Sequence, residues 1–169
     1  MSHTGSQVSE EDDARWMREA VAAARRAWQE YDEVPVGACV IGASGELLAV
    51  AGNRTRTDCD PTAHAEVVAL REAARRAGVF RLVGSTVYST IEPCAMCAGA
   101  LIQARVRRLV YGAVDVKAGA VESVFRVCDN SSLNHRIELT RGVLEAECRE
   151  LMQEFFRARR LKGGMKDEG

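Results

Sequence analysis

The sequence predicts a single α/β domain. Segments that alternate apolar and polar residues are interleaved with segments whose apolar residues recur every three or four positions, the signature of strands set between helices. The length of 169 residues fits one domain and can bury a core without disulfide or metal staples. At 47% hydrophobic and 28% charged, the composition is that of a globular chain.

Each element has its own signal. Residues 1–13 are polar and then acidic, and are expected to be a frayed start leading into a helix. A helix over about Ser9–Tyr31 follows from Trp16, Met17, Ala20, Val21, Ala24, Ala27, Trp28 and Tyr31, which form one apolar stripe. Ser9 with Asp12 three residues later is a loose capping signal. Val36–Ile41 and Leu47–Ala51 read as a hairpin around Gly42-Ala43-Ser44-Gly45. After a polar loop, Asp60-Pro61 is expected to open a helix that stops at Gly78. Thr86–Thr90 is a β-branched strand, and Pro93 opens a helix to about Gln103. Strands are expected at Arg108–Tyr111 and Arg136–Thr140, with no clear pattern between 113 and 134. A final helix over Leu144–Leu161 carries Leu144, Cys148, Leu151, Met152, Phe155 and Phe156 on one face. Gly163-Gly164 ends it, so the domain is expected over 14–162 with a flexible tail at 163–169.

Charge and cysteine usage exclude several classes. The formal net charge of -1 argues against a protein that holds nucleic acid by bulk positive charge. That value conceals an asymmetry. Residues 1–13 contain four acids and no base, leaving 23 bases against 20 acids, a net of +3, over the rest. No apolar run approaches the roughly 18 residues of a membrane span, and the start does not read as an export signal. Of the six cysteines only Cys94 and Cys97 are close in sequence, so a reducing, cytoplasmic compartment is expected rather than a disulfide framework. The other four read as small apolar fillers, with no role assigned to Cys59 or Cys128.

The chemistry is concentrated in His64-Ala65-Glu66 and Pro93-Cys94-Ala95-Met96-Cys97. Cys94 and Cys97 share a helical face, and the positive end of their helix favours thiolates. Two thiolates and the His64 imidazole would bind Zn²⁺ and leave a fourth position for water, the pattern of a catalytic zinc. A structural site would need a fourth protein ligand; His135 or Cys59 could supply one, though neither sits in a recognisable spacing. Glu66 would then move protons between a zinc-activated water and a substrate nitrogen, which suits attack on an amidine-like ring carbon with loss of ammonia. The spacing H-x-E followed by P-C-x-x-C is a known zinc-deaminase signature.

Further segments extend that match. Val34-Pro35-Val36-Gly37-Ala38, Gly52-Asn53-Arg54, Asp60 to Glu66, Glu92 to Ala100, Leu133-Asn134-His135-Arg136 and Glu147-Cys148 through Phe155-Phe156-Arg157 resemble the bacterial tRNA-specific adenosine deaminases. This is a branch of the cytidine-deaminase-like superfamily, and the resemblance covers roughly residues 14–161. It implies a three-layer α/β/α fold around a mixed five-stranded sheet. It also implies a cytoplasmic homodimer with one zinc per subunit that converts the wobble adenosine of a tRNA anticodon to inosine by attack at C6.

By position, His64, Cys94 and Cys97 would hold the metal and Glu66 would relay protons. Asn53 and the amide of Ala65 would meet the flipped base, and Asp115 and Lys117 would lie near the substrate loop. Two departures from the family pattern, Glu122 and Arg126, fall just after that loop. Arg157, Arg159, Arg160 and Lys162 crowd the last helical turns, where they either contact phosphates of the anticodon stem-loop or simply complement the helix dipole; Arg105, Arg107 and Arg108 form a second cluster. At 5% aromatic, the chain is unlike a broad stacking platform for single strands. Two other readings stay open: a deaminase of a free base or nucleoside such as guanine or cytosine, and a catalytically silent zinc scaffold that binds RNA or a partner. A thiol redox protein would leave His64-Ala65-Glu66 without a purpose.

Overall fold

The computed structural model describes residues 8–163. Its elements run α1 (Glu10–Tyr31), β1 (Gly37–Ile41), β2 (Leu47–Gly52), α2 (Ala65–Ala77), β3 (Thr86–Ile91), α3 (Ala95–Gln103), β4 (Arg108–Ala113), β5 (Glu138–Arg141) and α4 (Glu145–Leu161). The strands form one sheet in the order β2-β1-β3-β4-β5. β1 pairs antiparallel with both β2 and β3, while β3, β4 and β5 run parallel. The sheet is therefore mixed and five-stranded, as expected.

Alternation along the strands divides the core into two layers. Val40, Val87 and Leu109 pack with Ala69, Ala73, Ala98 and Leu101 of α2 and α3. Cys39, Tyr88 and Val110 pack on the other face with Met17, Ala20 and Ala24 of α1 and with Cys148 and Leu151 of α4. The result is the three-layer sandwich. The approach of α1 to β1 is so close that a Cβ at Gly37 would collide with the Ala20 carbonyl. Phe155 of α4 meets Trp28 of α1 edge-on, with ring centroids 5.5 Å apart.

Several boundaries differ from the sequence reading: α3 starts at Ala95, two residues after Pro93, and three further differences are informative. The fraying assigned to 1–13 does not extend to its end. Ser9 caps α1 by accepting from the Asp12 amide, and Asp13 is buried. Asp13 holds Arg108 through two hydrogen bonds of 2.8 and 2.7 Å and accepts from the Tyr88 hydroxyl at 2.7 Å. Residues 1–7 and most of the predicted tail, 164–169, lie outside the described residues.

The second difference concerns α2, which begins at Ala65 rather than at Pro61. Asp60 caps a turn instead, accepting from the amide and hydroxyl of Thr62 at 2.8 and 2.7 Å. The next residues are tied to the preceding loop, with the Arg54 amide donating to the Ala63 carbonyl at 2.9 Å. Third, the last strand begins at Glu138, two residues late. Before it, the His135 ring lies 2.7 Å from the Val106 carbonyl.

Candidate active site and metal centre

Two helix starts converge to make the site. His64 is the N-cap of α2 and Cys94 the N-cap of α3, both in extended backbone, and neither side chain is spent on capping. Cys97 follows one turn along α3. His64 Nδ1 lies 3.5 Å from the sulfurs of both Cys94 and Cys97. The three donor atoms all lie within 4.8 Å of one another, and this is the one His/Cys/Asp/Glu cluster of its kind among the described residues.

These distances fit zinc. Bonds of about 2.1 Å to nitrogen and about 2.3 Å to sulfur, at the tetrahedral angle, put nitrogen and sulfur about 3.6 Å apart and the two sulfurs about 3.8 Å apart. His135 and Cys59 are not in the group, so the set has two sulfurs, one imidazole and room for a fourth, non-protein ligand.

Without the metal the three donors hold their protons unequally, and Cys94 is the one set up as a thiolate. The hydrogen bond from the Cys97 thiol, with that of His64, pulls Cys94 down to about 3. The same bond and burial push Cys97 up, and the contact with Cys94 raises His64. The unpaired N–H groups at both helix starts add positive potential. Glu66 sits in the first turn of α2 and is only 2% exposed. Its Oε2 is 3.4 Å from the Cys97 sulfur, and its Oε1 accepts from the Ser89 hydroxyl at 2.8 Å. Burial pushes its carboxyl above the ordinary range. A carboxyl with a raised pKa beside a metal-ligand set is the equipment of an acid–base catalyst.

Comparison with known proteins narrows the chemistry. Residues 10–113 match the family described as the cytidine and deoxycytidylate deaminase zinc-binding region. The tRNA-specific adenosine deaminase of Haemophilus influenzae is 42% identical over 155 residues, 92% of this chain and 89% of its own. That of Agrobacterium fabrum is 45% identical over 146 residues, covering 86% and 95%. The chain belongs to the tRNA-specific adenosine deaminase family.

A solved structure from a study of A-to-I editing by tRNA:A34 deaminases at the wobble position of transfer RNA superposes with a TM-score of 0.77. It is 44% identical and covers 81% of this chain and 98% of its own. A guanine deaminase from Nitrosomonas europaea matches with a TM-score of 0.73 at 25% identity, covering 84% and 83%. The family's zinc-binding region and the one His/Cys/Cys group among the described residues correspond to one zinc per chain.

Against the tRNA-specific adenosine deaminase pattern, the remaining expected residues divide. Asn53 follows β2 and is buried; its amide group lies 3.4 Å from Glu33 and 3.5 Å from Thr55. Glu33, itself fully buried, also accepts from the amide and hydroxyl of Thr57 at 2.7 and 2.8 Å. Ala65 is buried as the first residue of α2. Asp115 turns its carboxylate onto its own loop, accepting from the amides of Lys117 and Ala118 at 3.1 Å. Lys117 is exposed.

Arg157 and Arg160 are exposed on α4, whereas Arg159 is half-buried and occupied. It donates to the backbone and side chain of Asp32 at 3.1 Å and stacks over Phe155. In the second basic cluster, Arg107 pairs with Glu138 and Arg108 with Asp13. The two departures are each neutralised locally: Glu122 pairs with Arg141 and Arg126 with Asp129, both at 2.8 Å. Cys128, Cys39 and Cys148 are buried, and Cys59 is exposed in a left-handed turn.

Sequence reasoning missed two groups. In the sequence Ser89 is no more than part of a strand. Glu92 stands in the sequence only as the neighbour of Pro93 and Cys94, yet it organises the segment from 113 to 134, which carries no clear pattern. Its buried carboxylate accepts from the amides of Asp115, Val121, Glu122 and Ser123 at 2.9–3.1 Å, and from the Ser123 hydroxyl. Burial alone would raise it, but the hydrogen bonds outweigh burial and hold it below the ordinary glutamate range. The Ala120 amide donates to Pro93 at 2.8 Å, so this loop is fastened beside Cys94. Gly119 passes so close that a Cβ there would strike the Glu92 carboxylate. A Glu next to a cysteine pair, followed by a Gly-containing loop, was the one available signal.

Proposed function

We propose that this chain hydrolytically deaminates the wobble adenosine of a tRNA anticodon to inosine. The observation that carries the reading is the convergence of His64, Cys94 and Cys97 with a buried Glu66 carboxylate beside them. Similarity above 40% to tRNA-specific adenosine deaminases supports the substrate class. In this reading His64 Nδ1 and the two sulfurs hold zinc. When bound, zinc supplies a Lewis acid that makes water nucleophilic near neutral pH. Glu66 takes a proton from the attacking water and returns it to the departing amine, so adenosine and water become inosine and ammonia.

Asn53 and the Ala65 amide meet the flipped base, with Asn53 braced through Glu33. The loop of Asp115 and Lys117 lies along the substrate. Asp115 serves by shaping that loop, because its carboxylate is engaged there. Arg157 and Arg160 contact phosphates of the anticodon stem-loop, while Arg159 fixes α4 to the end of α1. The assembly is a homodimer acting in the cytoplasm. No helix among the described residues is long and apolar enough to cross a membrane.

The test uses purified protein with an adenosine-containing anticodon stem-loop and, separately, with free adenine, guanine and cytosine. Inosine should form only in the RNA. Rapid turnover of free guanine with none in RNA would replace this reading with the guanine-deaminase one. Glu66→Ala should keep zinc and lose deamination; a variant that keeps both removes Glu66 from the mechanism. Binding of RNA without any turnover would mark a silent scaffold.

A further inference from the structure

Strand β3 carries an anomaly on its inner face. Alternation turns Val87 and Ser89 toward α2 and α3 and Tyr88 toward α1. Ser89 is fully buried, at a position where an apolar side chain would pack as Val87 does. A buried hydroxyl is costly unless it is hydrogen-bonded. This one lies 2.8 Å from Glu66 Oε1 and 2.7 Å from the Ile91 carbonyl.

A serine hydroxyl has one proton to donate. Toward an ionised Glu66 it donates to Oε1, and the Ile91 carbonyl is a second acceptor to which the same hydroxyl can turn. The other carboxylate oxygen, Oε2, faces the Cys97 sulfur at 3.4 Å. Glu66 is thus held by a hydroxyl on the sheet, with its other oxygen turned toward the cysteine side of the site. Terminal carboxylate torsions are otherwise broad, so without the hydroxyl the group turns freely within its space.

We propose that Ser89 is the positioning residue for Glu66, its hydroxyl fixing Oε1 so that Oε2 is the oxygen presented to the reacting groups. The proposal rests on the deaminase reading given above. The Ser89 hydroxyl bonds to Glu66 and Ile91 and to none of His64, Cys94 or Cys97; it acts through the orientation of one carboxylate. Proton transfer needs heavy atoms within about 3.2 Å, and a misplacement of about 1 Å costs up to about a hundredfold in rate.

Ser89→Ala in the zinc-loaded protein is expected to lower kcat for the RNA stem-loop by about tenfold or more. KM should stay within about twofold, with about one zinc per chain and a thermal midpoint near that of the parent. Ser89→Thr, which keeps the hydroxyl on a side chain suited to a strand, should recover most of the loss. A crystal structure of zinc-loaded Ser89→Ala should show the Glu66 carboxylate rotated or split between orientations. A kcat within twofold of the parent overturns the proposal. So does a kcat loss matched by an equal loss of zinc, a folded Ser89→Thr as slow as Ser89→Ala, or an unmoved Glu66 in the crystal. If the parent protein fails to deaminate RNA at all, the deaminase reading fails, and the crystallographic orientation of Glu66 still decides the role of Ser89.

Discussion

Replacing Glu92 by Gln exchanges one carboxylate oxygen for an NH₂ group and removes one charge. In the native protein Oε2 serves the amides of Val121, Glu122 and Ser123, while Oε1 serves Asp115 and the Ser123 hydroxyl. A glutamine can keep its oxygen toward the three converging amides. Its NH₂ then faces the Asp115 N–H, leaving two donors opposed. The Ser123 hydroxyl can reverse and accept, so it is not stranded. One buried donor without a partner costs about 1–3 kcal/mol, and three bonds to a charged acceptor become weaker neutral ones. The sum is about 3 kcal/mol, a large share of the roughly 5–15 kcal/mol typical of a domain.

The pH dependence has a definite sign. Glu92 is held below the ordinary glutamate value. Its stabilising contribution is therefore full above its unfolded pKa of about 4.3 and is lost as pH falls through the lower folded value. Urea unfolding at pH 7 should show Glu92→Gln weaker by about 3 kcal/mol. The gap should narrow as pH drops below about 4. Deamination of the stem-loop should fall with it, because the loop beside Cys94 loses its anchor. Equal stability at pH 7, or a gap that widens in acid, would refute the reasoning.

Other outcomes follow from the same geometry. Asp13→Ala leaves the largely buried Arg108 guanidinium with the Thr140 hydroxyl but no counter-charge, and should destabilise the fold by about 3 kcal/mol, read as a lower urea midpoint. Burial pushes Cys128 and Cys148 up to about 12, so in folded, zinc-loaded protein at pH 8 a thiol reagent should label Cys59 fast and those two only on unfolding. Exchanging Arg157 and Arg160 together for Gln should flatten the salt dependence of stem-loop binding by up to about two phosphate equivalents. Arg159→Gln should instead lower thermal stability, because its partners are Asp32 and Phe155.

Most of the fold was legible because periodicity reports which face is buried. The α1 stripe, the hairpin and the β3 alternation all have that origin, and the two core layers follow from them. What was not legible was set by contacts across the chain. Asp13 reads as one of four exposed acids until Arg108, 95 residues away, arrives beside it. Asp60-Pro61 satisfies the local rules for a helix start, yet the Arg54 amide claims the Ala63 carbonyl and defers the helix to Ala65.

That deferral matters for the site. Had the helix begun at Pro61, His64 would lie a turn inside it with its backbone in helical conformation. As the N-cap, it has extended backbone and stands at the helix mouth opposite Cys94, which has the same rank on α3. The ligand types were readable from spacing; their pairing depends on two helices each yielding its cap position to a ligand in place of a capping hydrogen bond. The supporting groups were hidden for the opposite reason. Ser89 and Glu92 lie within or just after a strand whose local pattern is unremarkable, and each acquires a role only through a partner 23 or more residues away. A short motif names the atoms that would touch the metal. The hydrogen bonds that aim Glu66 and fasten the neighbouring loop are long-range, and only the folded chain brings them together.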